Sequence, residues 1–296
     1  MVAPLFRAIP DSDQIRFCYT LEYLTAGLWT NQVSVDFAQM SFIKIINEQM
    51  YDSAIGRNLN FRKGEISSVD SYVRADYFYS LLSRPDGDSV LERMQHEKRF
   101  TPFFTHDMLL SGEALTSLDL NIKIIEVFRD PISMTYSWIK KSWGSRQITD
   151  PRSFKHLISY GGELIPWQAK EISHSWIKAS PAERCALTVI WMTRKLMYEF
   201  PKYPKHLVLP VFYDNYAENT LFELNRILLF LNKVADSGIS EILGSENLPR
   251  KLDPQVLQDK IGFLKKEVGV EIFDDLSLLQ TQFLEFSKSL SLPHNL

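Results

Sequence analysis

The stretch Lys123-Ile-Ile-Glu-Val-Phe-Arg-Asp-Pro-Ile-Ser-Met-Thr-Tyr-Ser137 sets the reading of this chain. Residues 122–128 form an apolar run with Glu126 as the only acidic residue, which predicts a buried strand. Asp130 suits a helix N-cap, and Pro131 suits the first helical position, where no amide hydrogen is needed. The helix that follows is predicted to run to about Trp143 and to stop near Gly144. Ser133 and Ser137 then share one helix face. Arg129 stands at the carboxyl end of the strand, where α/β sheets commonly place ligands. Its planar fork can make two hydrogen bonds to one phosphate. Ser137 lies too deep in the helix to offer a free amide, so it would act through its hydroxyl. The same residues also fit an ordinary helix start with a surface ion pair, and on spacing alone that plainer reading is the stronger.

Outward from this junction, Phe103-Phe104-Thr105-His106 is a short candidate strand and residues 111–118 a short helix. Residues 206–213 make another apolar strand, which Pro210 demotes to an edge or irregular one. This alternation favours a parallel sheet with helices packed on it. Helices are predicted over 15–29 and 35–51, with a turn-rich surface segment over 58–74 and Asp88 capping a helix through Met94. Two more follow over 167–177 and 181–199. Residues 220–232 form an amphipathic helix with Leu221, Leu224, Ile227, Leu228 and Leu231 as its stripe. Residues 253–290 read as charged and helical. The expected fold class is α/β, a parallel sheet flanked by helices with a helix-rich N-terminal third and C-terminus, in one domain over 1–296.

Composition narrows the function. The chain has 296 residues, 33 basic and 36 acidic, for a net charge of −3. That balance argues against a dominant nucleic-acid-binding role. Cys18 and Cys185 make neither a disulfide scaffold nor a metal spacing, and His156 and His174 lack partners at ligand spacing, so no metal site is expected. The N-terminus resembles no secretory signal. The longest apolar runs fall well short of the ~20 residues of a membrane helix. A cytoplasmic protein without a membrane partner is expected.

The junction resembles the 3′-phosphate motif of the sulfotransferase family, an apolar strand ending in Arg, often followed by Asp-Pro, with Ser eight residues after the Arg. Arg129 and Ser137 match it in type, spacing and setting. Thr105-His106, 23 residues before Arg129, lies close to where cytosolic members carry Lys-Thr-His. Residues 207–214, with the amphipathic helix after them, are similar to the family's late strand, turn and helix. The resemblance covers roughly residues 100–235. It implies a sulfotransferase or P-loop-like fold and transfer of a sulfonyl group from 3′-phosphoadenosine-5′-phosphosulfate (PAPS) to a hydroxyl or amine of a small-molecule or carbohydrate acceptor. Arg129 and Ser137 would hold the donor's 3′-phosphate. His106 would be the general base, or else Glu22, which resembles the Glu that carbohydrate-directed and many bacterial members carry after the phosphate loop.

The chain also departs from the family. The Gly-rich or Arg-Ser-Gly-Thr-type loop for the 5′-phosphosulfate appears nowhere, and Phe104 takes the place of the Lys in Lys-Thr-His. With Glu22 so placed, the chain starts just after where the loop would sit. This suggests an N-terminally truncated sequence without the first strand and loop, or a divergent member that has lost catalysis. The alternatives to an enzyme are a catalytically incompetent nucleotide binder and an interaction domain. Lys140, Lys141, Arg146 and Arg152 form a basic run that suits anions or a solvated helix end. Arg250-Lys251 sits roughly where members place a late basic segment on the 3′-phosphate. Trp138, Trp143, Trp167, Trp176 and Trp191 would line an acceptor pocket or, as helical spacing suggests, the core.

Overall fold

A computed structural model describes residues 2–118, 120–146 and 156–291. The six strands among them are β1 (Arg16–Phe17), β2 (Phe103–Phe104), β3 (Ile124–Phe128), β4 (Leu157–Tyr160), β5 (Glu163–Pro166) and β6 (Val208–Phe212). The longer helices are α1 (Tyr19–Trp29), α2 (Val35–Ala54), α3 (Asp88–Glu97), α4 (Pro131–Lys140), α5 (Pro181–Glu199), α6 (Thr220–Leu231), α7 (Pro254–Glu267) and α8 (Val270–Ser291). The chain is α/β and helix-rich, with parallel strand pairs, in line with the sequence. It divides into two compact units. One contains Met1–Leu24, Ser34–Met108 and Tyr216–Arg250, the other Thr25–Val33, Leu109–Asn215 and Lys251–Leu296.

In the first unit β1 and β2 pair in parallel, with Arg16 opposite Phe103 and Phe17 opposite Phe104. The sequence placed residues 15–29 in one helix, and the structure corrects this. Arg16 is buried, and its guanidinium donates to Ser53 Oγ and to the carbonyls of Arg57 and Asn58. Asp13, also buried, accepts from Arg99 at 2.9 Å and from Thr101 at 2.7 Å. Partners far along the chain therefore hold this segment extended, and no local pattern announces them. The adjoining core includes Ile15, Val69, Tyr72, Phe78 and Leu81. Helix α3 begins at Asp88, with Gly87 at positive φ before it, so Asp88 is the first helical residue and not the cap. In α6, Leu224 and Ile227 are buried while Leu221 is 60% exposed, which takes Leu221 off the predicted stripe.

In the second unit β3 and β6 pair in parallel from Ile124 opposite Val208 to Phe128 opposite Phe212. Pro210 stands opposite Glu126, tolerated in a two-stranded pair because each strand has an open edge. Phe128, Phe200, Phe212 and Phe283 form a buried aromatic cluster on this pair, and burying each ring contributes roughly 2–3 kcal/mol. Helix α4 lies against α5, α7 and α8, with Ile132, Ile190, Leu264, Leu276 and Leu279 between them. Helix α5 starts where the sequence places it because Ser180 at the N-cap and Glu183 in the first turn form a reciprocal capping box, with Pro181 at the first helical position. The sequence reading missed the β4–β5 hairpin, whose turn is Gly161-Gly162 at φ of 60° and 87°, a conformation suited to glycine. It also ran 167–177 as one helix, where the structure has a 3-10 segment, Trp167–Ile172, ahead of a short α-helix, Ser173–Lys178.

Candidate active site

The second unit carries Arg129 and Ser137. Asp130 is the N-cap of α4: one carboxylate oxygen accepts from the Ser133 amide at 2.7 Å and the other from Gln280 Nε2 at 2.9 Å. It is buried and spent on these bonds, so the surface ion pair of the plainer reading does not form. Arg129, half-buried, lies with its guanidinium 5.4 Å from the centre of the Tyr213 ring. Its Nε is buried and has no hydrogen-bond partner among the described residues. A buried guanidinium nitrogen left unpaired costs free energy, and an incoming anion would offset that cost. Two turns along α4, Ser137 is half-buried. On the face that Ser137 shares with Ser133, Lys260 Nζ donates to Ser133 Oγ at 3.0 Å.

Lys260 and Gln280 were not singled out by the sequence, and nothing in local spacing could have found them; Tyr213 lies in the 207–214 stretch read as the late strand and turn, where it had no role assigned. The late basic pair that was singled out straddles the two units: Arg250 belongs to the first, where its amide donates to the Ala217 carbonyl. Of the basic run that begins at the last residue of α4, Lys140 rests over the Phe263 ring at 4.8 Å, and Arg152 lies outside the described residues. Trp167 and Trp176 are each 3% exposed and belong to the core, with Trp138 and Trp191 packed against the same cluster. Trp143 stacks on Trp138 at 5.8 Å.

The first unit brings Glu22 and His106 together across 84 residues of sequence. Glu22 Oε1 accepts from the His106 amide at 2.7 Å and lies 3.0 Å from His106 Nδ1. The sequence had offered these two as alternatives. Phe104, in the place where the family carries Lys, meets the imidazole edge-on at 5.5 Å. Tyr19 lies parallel to it at 6.5 Å. Phe17 tilts against Phe104 at 5.2 Å, so a row of rings flanks His106.

Between β1 and α1 stands one residue, Cys18. A short strand thus precedes the helix that carries Glu22, where the sequence reading expected none, and the connection is too short for a glycine-rich loop. Cys18 is buried, and burial pushes its thiol up against the opposing pull of the Leu21 and Thr20 amides. Among the described residues no group of three or more His, Cys, Asp or Glu is placed to hold a metal. No helix among them is long and apolar enough to cross a membrane.

A family model described as a sulfotransferase domain matches residues 27–246, about three quarters of the chain. The chain belongs to the sulfotransferase family. No curated protein and no solved structure matches it. Within this sulfotransferase, His106, Arg129 and Ser137 fall inside the matched span, whereas β1, Cys18 and Glu22 precede it.

Proposed function

We propose that this sulfotransferase moves a sulfonyl group from PAPS to a hydroxyl or amine of a small-molecule or carbohydrate acceptor. The observation that carries the donor assignment is the buried, unpaired Nε of Arg129 at the carboxyl end of β3. A phosphate suits that position, because it accepts charge-assisted hydrogen bonds from a guanidinium in the fork geometry. Arg129 and the Ser137 hydroxyl would hold the 3′-phosphate, with the Tyr213 ring beside the guanidinium and Lys260 of α7 bringing positive charge to the Ser133 face of α4. When bound, PAPS supplies an activated sulfonyl group and a phosphate leaving group. On the acceptor side, His106 or Glu22 would take the proton that the attacking hydroxyl or amine loses. A cytoplasmic setting goes with the two free, buried cysteines.

A second reading has one observation in its favour. The single-residue connection at Cys18 offers no amide cradle for a phosphosulfate, which suits a member that binds the nucleotide without transfer. Isothermal titration with 3′-phosphoadenosine-5′-phosphate tests the donor site. Micromolar binding that Arg129→Ala abolishes is expected, and absence of binding to the intact chain would remove the donor assignment. Incubation with radiolabelled PAPS and an acceptor panel separates the two readings, since a binder yields no labelled product.

A further inference from the structure

The two residues that the sequence offers as rival bases are bonded to each other. One oxygen of Glu22 serves both the amide and Nδ1 of His106. The Glu22 side chain is 12% exposed and that of His106 is 54% exposed. A shielded carboxylate oxygen already occupied by two donors is poorly placed to collect a proton from an acceptor, whereas the imidazole reaches solvent. A ring whose Nδ1 faces a carboxylate keeps its proton there and carries its lone pair on Nε2.

We propose that Glu22 and His106 act as one dyad, in which Glu22 fixes the Nδ1–H tautomer and His106 Nε2 takes the acceptor's proton. The dyad rests on the sulfonyl-transfer reading above and adds a positioning residue to it. As the acceptor atom bonds to sulfur, the sulfur–oxygen bond to the donor's phosphate breaks and its electron pair leaves on that phosphate. The acceptor's proton passes to Nε2. The imidazolium so formed keeps Nδ1–H on Glu22, whose negative charge stabilises it, and Glu22 itself stays ionised. Phe104 edge-on and Tyr19 parallel to the ring restrain the imidazole plane. Among the contacts described, the titratable groups facing the imidazole are Glu22 and the Tyr19 phenol, both from α1. Burial, and after it the Glu22 charge, hold that phenol above its usual value.

Nitrogen NMR of the full chain with labelled histidine tests the dyad. There are six histidines, and the signals lost in His106→Gln assign the one of interest. The expected result at neutral pH is a proton on Nδ1 and a lone pair on Nε2. Glu22→Gln keeps an acceptor oxygen but removes the charge, and should move the His106 titration to lower pH. Glu22→Leu removes both and should release the ring to the Nε2–H tautomer. Unchanged signals from the remaining histidines report an intact fold. A wild-type His106 with its proton on Nε2, or a titration that Glu22→Gln leaves in place, overturns the dyad. Adding 3′-phosphoadenosine-5′-phosphate to the same sample tests the donor separately. Binding without the His106 signature overturns the dyad alone. The signature without binding overturns the sulfonyl-transfer reading and, with it, the dyad's catalytic role.

Discussion

Arg129 and Ser137 are separated by two helical turns, and that local relation is written in the chain itself. Strand, N-cap and proline fix the phase of α4, so the face carrying Ser137 follows from spacing. The surroundings of Arg129 do not follow from spacing. Tyr213 approaches from just past the end of the other strand of the pair, and Lys260 and Gln280 reach α4 from helices more than a hundred residues away. Glu22 and His106 were each legible as residue types that could take a proton, but their bond closes a long loop and left no trace in either segment. At this scale the Ser137 hydroxyl is expected to contribute one charge-assisted hydrogen bond to a bound phosphate. Ser137→Ala should weaken 3′-phosphoadenosine-5′-phosphate binding about ten- to a hundredfold, since such bonds contribute roughly 1.5–3 kcal/mol. The melting temperature should stay put, and calorimetric titration beside a thermal scan reads both.

Helix α4 owes its start to Asp130 and its outlet to Gly144. Asp130 both caps the helix and accepts from Gln280 on α8, so Asp130→Ala removes a cap and leaves the half-buried Gln280 amide without this acceptor. A loss of about 2 kcal/mol is expected, at the upper end for N-caps because of the second bond. Urea unfolding monitored by tryptophan fluorescence measures it. Four residues past the helix, a Cβ on Gly144 would lie 1.9 Å from the Pro181 carbonyl, so this turn admits no side chain without moving the start of α5. Sequence marked the starts of α4 and α5 because caps and prolines act locally, whereas α4 ends at Lys140, short of the expected Trp143. It missed β1 because two buried charged residues, Asp13 and Arg16, look like solvated positions until their partners are known. The Gly161-Gly162 hairpin was within reach of pattern reading, since paired glycines between short apolar stretches signal such a turn.

Over the whole molecule, buried phenols link stability to alkaline pH. Burial raises Tyr72 and Tyr77 in the first unit well above the ordinary value of 10.0 and pushes Tyr203 in the second up to about 12. A phenol that ionises at higher pH when folded keeps its proton while the unfolded chain loses its own. Its contribution is therefore fully present below pH 10 and is lost as pH rises from there towards the folded value. The urea midpoint should hold up to about pH 9.5 and fall steeply above pH 10. Tyr203→Phe should flatten part of that fall. No such effect could be read from the sequence, which counts tyrosines but does not show which are enclosed. Class was readable at this scale: the apolar fraction, the near-balanced charge and the alternation of strands and helices all pointed to a helix-rich α/β protein.

The one-residue passage from β1 through Cys18 to α1 has a consequence for ionic strength. A bed of backbone amides holds a phosphate by short hydrogen bonds that added salt barely disturbs. The β1–α1 passage has no room for such a bed, and the overall charge of −3 would oppose a polyanionic donor. In the proposed donor site, capture would fall to a few side-chain cations such as Arg129 and Lys260, whose field mobile ions screen over roughly 8–10 Å at physiological salt. The proposed donor's residence on this protein would then be a property of the surrounding electrolyte as much as of the fold.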